Sequence, residues 1–254
     1  MVGDPEVNKL LNNYADRRGL LEDIDGLHRN IPLLPLKYSA GEVSNISDII
    51  TADKILTGSN ATEANFKENA PLSKIIHLST HSFIFNKQPV IFFSNSYNSA
   101  DDGFLETSEI VKLKLNSDLV VLSSCNSGRG IVDRSEGVLG MTKAFFEAGA
   151  KSVVVSLWEV DDKYTSDLMS LFYKRLSEGY DKSRALRYAK IDFIKRYSSN
   201  PYYWSAFVLS GNISDMQLRK KISAIPYLTG ILLIIGMASL IILLKNKYYN
   251  QRAI

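Results

Sequence analysis

Apolar runs and amphipathic segments alternate along the chain from about residue 40 to residue 210. Alternation of this kind predicts strands that alternate with helices, and therefore an α/β fold with a mostly parallel sheet. The strands are predicted from short aliphatic or aromatic runs at 73–79, 89–93, 119–123, 153–158 and 203–209. The helices are predicted at 41–55, 62–70, 106–113, 135–148, 161–178 and 182–197.

Two of the predicted strands lead into reactive side chains. His81 ends the run 75–81, and Cys125, the single cysteine of the chain, ends the run 118–125. Because chemistry in a parallel α/β sheet gathers at the carboxyl ends of the strands, the two side chains indicate a Cys/His nucleophilic site. The alternative is that Cys125 is a small buried apolar residue. Its position at a strand end, before a loop with two glycines, favours the site.

The sequence predicts no metal and no cofactor. His77 and His81 are four residues apart, but they lie in a strand-like run and do not share a helical face. We therefore expect His77 to be a hydrogen-bonded residue inside the strand. A single cysteine excludes a multi-cysteine zinc site, and the glycines fit neither a phosphate loop nor a dinucleotide-binding loop.

Basic charge is concentrated at the C-terminal end. The 254-residue chain has a formal net charge of +3, and six basic residues but no acidic one follow residue 218. Residues 1–218 carry 24 basic and 27 acidic residues, a net charge of −3. This balance argues against nucleic acid as a partner of the folded part.

The stretch 222–244 is uncharged and predicts a transmembrane helix. Its 23 residues would span about 34 Å as a helix, enough for a hydrocarbon core of about 30 Å. Basic and tyrosine residues flank it on both sides, as suits headgroup anchoring. We expect a single-pass anchor in the lipid bilayer, with the globular domain cytoplasmic, although the flanking charges leave the orientation undecided. The alternative is a buried core helix. The first residues lack the apolar core of a signal peptide.

Six segments carry a resemblance to a known family: 77–81 (HLSTH), 102–110 (DGFLETSEI), 119–130 (LVVLSSCNSGRG), 136–158 (EGVLGMTKAFFEAGAKSVVVSLW), 168–173 (LMSLFY) and 200–211 (NPYYWSAFVLSG). In this order they resemble the CHAT domain, a relative of the caspase and separase cysteine peptidases that often follows tetratricopeptide repeats. The resemblance implies a caspase-like three-layer sandwich and hydrolysis of peptide bonds. It also implies a regulatory repeat segment or partner protein.

The resemblance assigns roles to particular residues. His81 matches the catalytic histidine and Cys125 the nucleophile, and the backbone N–H groups of Ser82 and Cys125 would bind the oxyanion. Ser82 stands where the family usually has glycine, and Asn126 where it often has glutamate. Family members usually have further strands before the start of the match. The predicted organisation is an unpatterned segment 1–30, a CHAT-like domain 31–213, a basic linker 214–221, a membrane helix 222–244 and a basic tail 245–254.

Substrate specificity is predicted from the end of the strand 153–158. If that strand neighbours the cysteine strand, then Trp158, Asp161 and Asp162 would line the pocket for the substrate residue before the cut. Two carboxylates there would favour arginine or lysine. The alternative is that Asp161 and Asp162 cap the helix that follows.

Three hypotheses follow. The first is a membrane-tethered cysteine endopeptidase of the CHAT type, in a bacterium, with a protein or peptide as substrate. The second is a catalytically silent interaction domain with the same fold, which Ser82 and the short N-terminal part favour. The third, a thiol enzyme with another substrate class, has the least support.

Overall fold

The computed structural model describes residues 1–3, 36–85, 88–94, 101–123, 134–216, 218 and 236–237. The chain divides into two compact units, Met1–Arg219 and Lys220–Ile254. Of the second unit, only Gly236 and Met237 are described. The fold given below is that of the first unit.

The described part of the first unit contains two β-sheets. Their strands are β1 (Val2–Gly3), β2 (Leu56–Thr57), β3 (Ile75–Ser79), β4 (Ser82–Phe85), β5 (Gln88–Phe92), β6 (Phe104–Glu106), β7 (Leu119–Leu122), β8 (Ser152–Ser156) and β9 (Phe207–Gly211). The larger sheet has the strand order β2-β1-β3-β7-β8-β9, in which neighbours are parallel except for the antiparallel pair β8 and β9. A smaller antiparallel sheet has the order β4-β5-β6. The prediction of a mostly parallel sheet is confirmed.

Helices occur in the connections between strands of the larger sheet. The α-helices are α1 (Ser39–Ile49), α2 (Glu63–Asn69), α3 (Thr107–Ile110), α4 (Arg134–Ala148), α5 (Asp162–Ser177), α6 (Lys182–Arg196) and α7 (Pro201–Trp204). Single turns of 3-10 helix lie at Gly58–Asn60 and Ala70–Leu72. Side-chain caps determine where two of these helices begin. The Thr62 hydroxyl accepts from the Asn65 N–H to cap α2, and Glu106 and Glu109 form a capping box around the first turn of α3.

The two faces of the larger sheet pack against different helices. Along β7, Val120 and Leu122 belong to an apolar cluster that includes Phe145 of α4. The alternate residues Leu119 and Val121 belong to a second cluster, with residues of α1, α5 and α6. Because successive side chains of a strand point to opposite faces, the sheet is covered on both sides. This arrangement fits the caspase-like α/β architecture that the resemblance implies.

One predicted strand was partly wrong. The run 203–209 was expected to be extended, but residues 201–204 form α7 and β9 starts only at Phe207. The helix begins because the Asn200 side chain accepts from the Tyr202 N–H, and because Pro201 suits a first helical position. The sequence also missed β1, β2, β4 and β6.

The N-terminal residues take part in the larger sheet. Val2 pairs with Leu56 on one side and with Leu78 on the other, so β1 lies between β2 and β3. Residues 4–35, which include most of the segment predicted as unpatterned, lie outside the described residues.

Within the part of the chain that is described, none of the helices is both long and apolar enough to cross a bilayer. The stretch 222–244, predicted to be a membrane helix, lies outside the described residues except for Gly236 and Met237.

Candidate functional site

His81 lies where the chain leaves the larger sheet for the smaller one. It follows the end of β3 by two residues and precedes Ser82, the first residue of β4. The His81 carbonyl accepts a hydrogen bond from the Phe92 N–H at 3.0 Å, and the Thr80 hydroxyl donates to the Phe92 carbonyl at 2.8 Å. These two bonds to β5 hold Thr80 and the His81 backbone in place. His81 itself is only 2% exposed.

The strand that leads to Cys125 is the direct neighbour of β3. Leu78 of β3 and Leu122 of β7 are paired across the parallel ladder, and the Ser123 N–H donates to the Leu78 carbonyl at 3.0 Å. His81 and Cys125 each follow this paired position by three residues. Cys125 and Asn126 lie outside the described residues. The contact between the sulfur and the imidazole therefore stays a prediction.

Ser82 occupies the position predicted to supply one N–H to an oxyanion. It is half-buried and pairs with Ile91 of β5 at the start of the antiparallel ladder. Its backbone is therefore held by strand pairing immediately after His81. The second predicted donor is the N–H of Cys125, so the oxyanion-binding role of Ser82 and Cys125 stays a prediction too.

The end of β8 lies on the other side of β7, as the specificity prediction requires. Trp158 follows β8 by two residues, and its indole N–H donates to the Tyr202 carbonyl at 2.9 Å. Its ring lies 6.5 Å from that of Tyr202, between centroids. Trp158 is half-buried, whereas Leu157 beside it is exposed. An aromatic pair therefore lies beyond the end of β8, the strand that is paired with β7.

The two aspartates predicted to line the pocket are bound to backbone N–H groups. Asp161 caps α5, since its carboxylate accepts from the N–H groups of Lys163 and Tyr164 at 3.0 and 3.3 Å. The Asp162 carboxylate accepts from the Tyr38 N–H at 2.6 Å. Asp161 therefore caps α5, as predicted by the alternative to the pocket hypothesis. A contact of either carboxylate with a substrate stays a prediction.

His77 is a buried and hydrogen-bonded residue inside β3, as predicted. Its Nε2 lies 2.8 Å from Oε1 of Glu42, and its Nδ1 lies 3.1 Å from the Tyr173 hydroxyl. The sequence prediction missed both partners. A signal for Glu42 was present, because it falls among the buried positions of α1 that recur at three- and four-residue steps: Ser39, Glu42, Val43 and Ile46.

A cluster of three carboxylates surrounds Lys67. Carboxylate oxygens of Glu63, Asp101 and Glu109 lie within 4.8 Å of one another. The Lys67 ammonium is at 2.6, 2.7 and 2.9 Å from these three groups, respectively. All three carboxylates therefore form ion pairs with the same lysine, Lys67. The spacing resembles that of metal ligands, but Lys67 supplies the positive charge.

Comparison with known proteins identifies a family and two relatives. A sequence model of the CHAT domain matches residues 2–212, starting well before the position 31 expected from the motifs. Tetratricopeptide repeat protein 28 of Mus musculus is 34% identical over 122 residues, and the protein of the same name in Homo sapiens is 35% identical over 122 residues. Each match covers 48% of this chain and 5% of the relative.

Proposed function

The chain belongs to the CHAT domain family, and from this premise we propose that it is a cysteine endopeptidase in which His81 and Cys125 form the catalytic dyad. One observation carries the proposal. Leu78 and Leu122 are paired in adjacent parallel strands, and His81 and Cys125 each follow them by three residues. Strands that are adjacent, parallel and in register deliver their following residues to the same sheet edge.

The proposed chemistry needs only groups of this chain and water. The Cys125 sulfur, as a thiolate, attacks the scissile carbonyl carbon and forms a tetrahedral intermediate. His81 holds the proton taken from the thiol and gives it to the leaving amine as the C–N bond breaks. Water then hydrolyses the thioester, which releases the acid product and restores the thiol. The N–H groups of Ser82 and Cys125 would bind the oxygen while it carries negative charge.

Specificity for basic residues is a further part of the proposal. It is supported by the position of Trp158 and Asp161 beyond the end of β8, the strand that pairs with β7. Asp161→Asn and Asp162→Asn test it, because an asparagine removes the charge but can still accept a backbone hydrogen bond. An unchanged preference for cleavage after arginine or lysine in the double variant would remove this part.

Membrane attachment and repeat partners complete the proposal. The uncharged stretch 222–244 would anchor the CHAT domain at the cytoplasmic face of a bilayer. The relatives are named as tetratricopeptide repeat proteins, which supports a repeat segment or repeat-containing partner as the regulator. Carbonate extraction of membranes that contain the full chain, compared with a chain shortened before residue 219, tests the anchor.

A peptidyl probe with a thiol-reactive group tests the dyad. We expect the wild-type chain to be labelled on Cys125, with no label on Cys125→Ala and a strongly reduced rate for His81→Ala. Ser73→Ala, near the amino end of β3, serves as a control for loss of a hydroxyl group away from the site. Absence of labelling in the wild type, also with candidate repeat partners present, would contradict the endopeptidase.

A scaffold function is the second candidate, and the burial of His81 favours it. A base that is only 2% exposed can reach a substrate only after its surroundings move. Ser82, in place of the usual glycine, adds a side chain beside the expected path of the substrate. A chain that binds repeat partners but is never labelled by the probe would support this function.

A further inference from the structure

A group of five polar side chains is buried in the core on the α1 and α5 side of β3. These side chains come from four parts of the fold and are between 0 and 3% exposed: Glu42 of α1, His77 and Ser79 of β3, Ser123 after β7, and Tyr173 of α5. Burial of a carboxylate and four other polar groups is unfavourable unless they bind one another. We refer to these five residues as the His77 network.

His77 is the centre of this network. Its Nε2 lies 2.8 Å from Oε1 of Glu42 and 3.4 Å from the Ser123 hydroxyl oxygen. Its Nδ1 lies 3.1 Å from the Tyr173 hydroxyl. The imidazole therefore contacts residues of α1 and α5 and also Ser123, at the end of the strand that leads to Cys125.

The two serines of the network are attached to it differently. The Ser79 hydroxyl donates to Oε2 of Glu42 at 3.1 Å. The Ser123 hydroxyl donates to the Leu78 carbonyl at 3.3 Å, and its oxygen faces Nε2 of His77. Both side chains are buried, but only Ser123 belongs to the chain segment that continues to Cys125.

One placement of the protons satisfies every contact. Burial and the nearby Glu42 carboxylate raise the pKa of Tyr173 well above its ordinary value, so its hydroxyl keeps its proton and can donate to Nδ1. The Nε2–H is then shared between the Glu42 carboxylate and the Ser123 oxygen. In this tautomer His77 is fixed on both ring nitrogens.

We propose that His77 is a positioning residue for Cys125: held by Glu42 and Tyr173, its imidazole fixes Ser123 and so sets how the chain leaves β7. The inference rests on the proposed function, because it takes Cys125 as the reactive group. It assigns His77 no contact with the substrate. Ser123 is the last described residue before Cys125, and its own N–H and hydroxyl both bind the Leu78 carbonyl. Its contact with His77 is what joins this strand end to Glu42 on α1.

The chain offers a matched pair of variants for the test. Ser123→Ala and Ser79→Ala each remove one buried hydroxyl from the same network, but only the first removes a contact on the path to Cys125. Because Cys125 is the single cysteine, its alkylation by iodoacetamide in the full chain reports on this thiol alone. The rate constant is measured across about pH 6 to 10, which gives both the reactivity and the titration of the thiol. Urea unfolding of both variants controls for general destabilisation.

For Ser123→Ala, which removes the contact with His77 and the hydroxyl bond to the Leu78 carbonyl, the expected result is a change of at least about fivefold in the alkylation rate constant at one or more pH values, the factor that about 1 kcal/mol contributes. Ser79→Ala is expected to stay within about twofold of the wild type, despite a similar loss of a buried hydroxyl. Equal effects of the two variants, or no effect of Ser123→Ala, would overturn the inference. A second pair repeats the test on the ring itself: His77→Gln, which keeps a donor and an acceptor, is expected to retain more of the wild-type profile than His77→Leu.

The peptidyl probe separates this inference from the proposed function. If Ser123→Ala alone alters alkylation while the wild type is never labelled by the probe, the positioning role stands and the endopeptidase fails. If the probe labels Cys125 but both serine variants alkylate like the wild type, the endopeptidase stands and the positioning role fails.

Discussion

Lys67 and Glu63 form an ion pair of 2.6 Å in which the carboxylate is almost completely buried and the lysine is not. The Glu63 side chain is 1% exposed, and that of Lys67 is 25% exposed. Burial raises the pKa of Glu63 from 4.5 to about 7, even though Lys67 and the Gly103 N–H both favour its charged form. The desolvation of this carboxylate therefore outweighs its hydrogen bonds.

The raised pKa of Glu63 predicts a pH dependence of stability. Between pH 4.5 and about 7 the folded chain binds more protons at this group than the unfolded chain, so the free energy of unfolding decreases as the pH rises. We expect Glu63→Gln, which retains an acceptor for the Gly103 N–H, to remove this decrease, on the order of 1–3 kcal/mol. Urea unfolding of both proteins across this pH range checks it. Parallel curves for the two proteins would show that Glu63 titrates normally.

Gly149 is predicted to be intolerant of a side chain. Its φ is +112°, and a Cβ there would lie 2.3 Å from the Leu115 carbonyl oxygen. Gly179 also has a positive φ, +93°, but a Cβ there meets nothing within 4 Å. We expect Gly179→Ala to cost about 1–2 kcal/mol and Gly149→Ala more than about 3 kcal/mol in the free energy of unfolding. Similar losses for the two variants would mean that the backbone at Leu115 moves to accept the methyl group.

The cap at Asp161 predicts different effects of alanine and asparagine. Its carboxylate accepts from two N–H groups in the first turn of α5. Asp161→Ala is expected to lower the free energy of unfolding by about 1 kcal/mol, and Asp161→Asn by clearly less, because asparagine is as good an N-cap as aspartate. Thermal unfolding of the three proteins measures both differences. A loss from Asp161→Asn as large as that from Asp161→Ala would assign the effect to charge and not to capping.

The sequence predicted the central strands and the long helices because their residues are patterned over several positions. β7 is wholly aliphatic, β3 and β8 each contain three aliphatic residues out of five, and α5 repeats its apolar residues over about three turns. The strands β1 and β2 have two residues each, too few for any periodicity to be visible. At α7, aromatic residues favour a strand, but the Asn200 cap and Pro201 determine the outcome.

The candidate site was predictable only in part. A thiol and an imidazole at the ends of apolar runs indicated a site at the sheet edge. The neighbouring positions of β3 and β7, and their register at Leu78 and Leu122, depend on pairing across 44 residues of sequence and needed the structure. The same holds for Glu42, which is 35 residues away from His77 in the sequence. Local patterns carry no information on contacts at such separations.

The proximity of His81 and Cys125 is the central claim, and cross-linking tests it most directly. His81→Cys places a second thiol in a chain whose single cysteine is Cys125. Lys74→Cys, an exposed position just before the amino end of β3, is the control at the opposite sheet edge. A short thiol–thiol cross-linker is added to each protein, and the linked peptides are identified by mass spectrometry. The account predicts an intramolecular link from position 81 to Cys125 and none from position 74. An absent link at position 81, or equal linking from both positions, would contradict it.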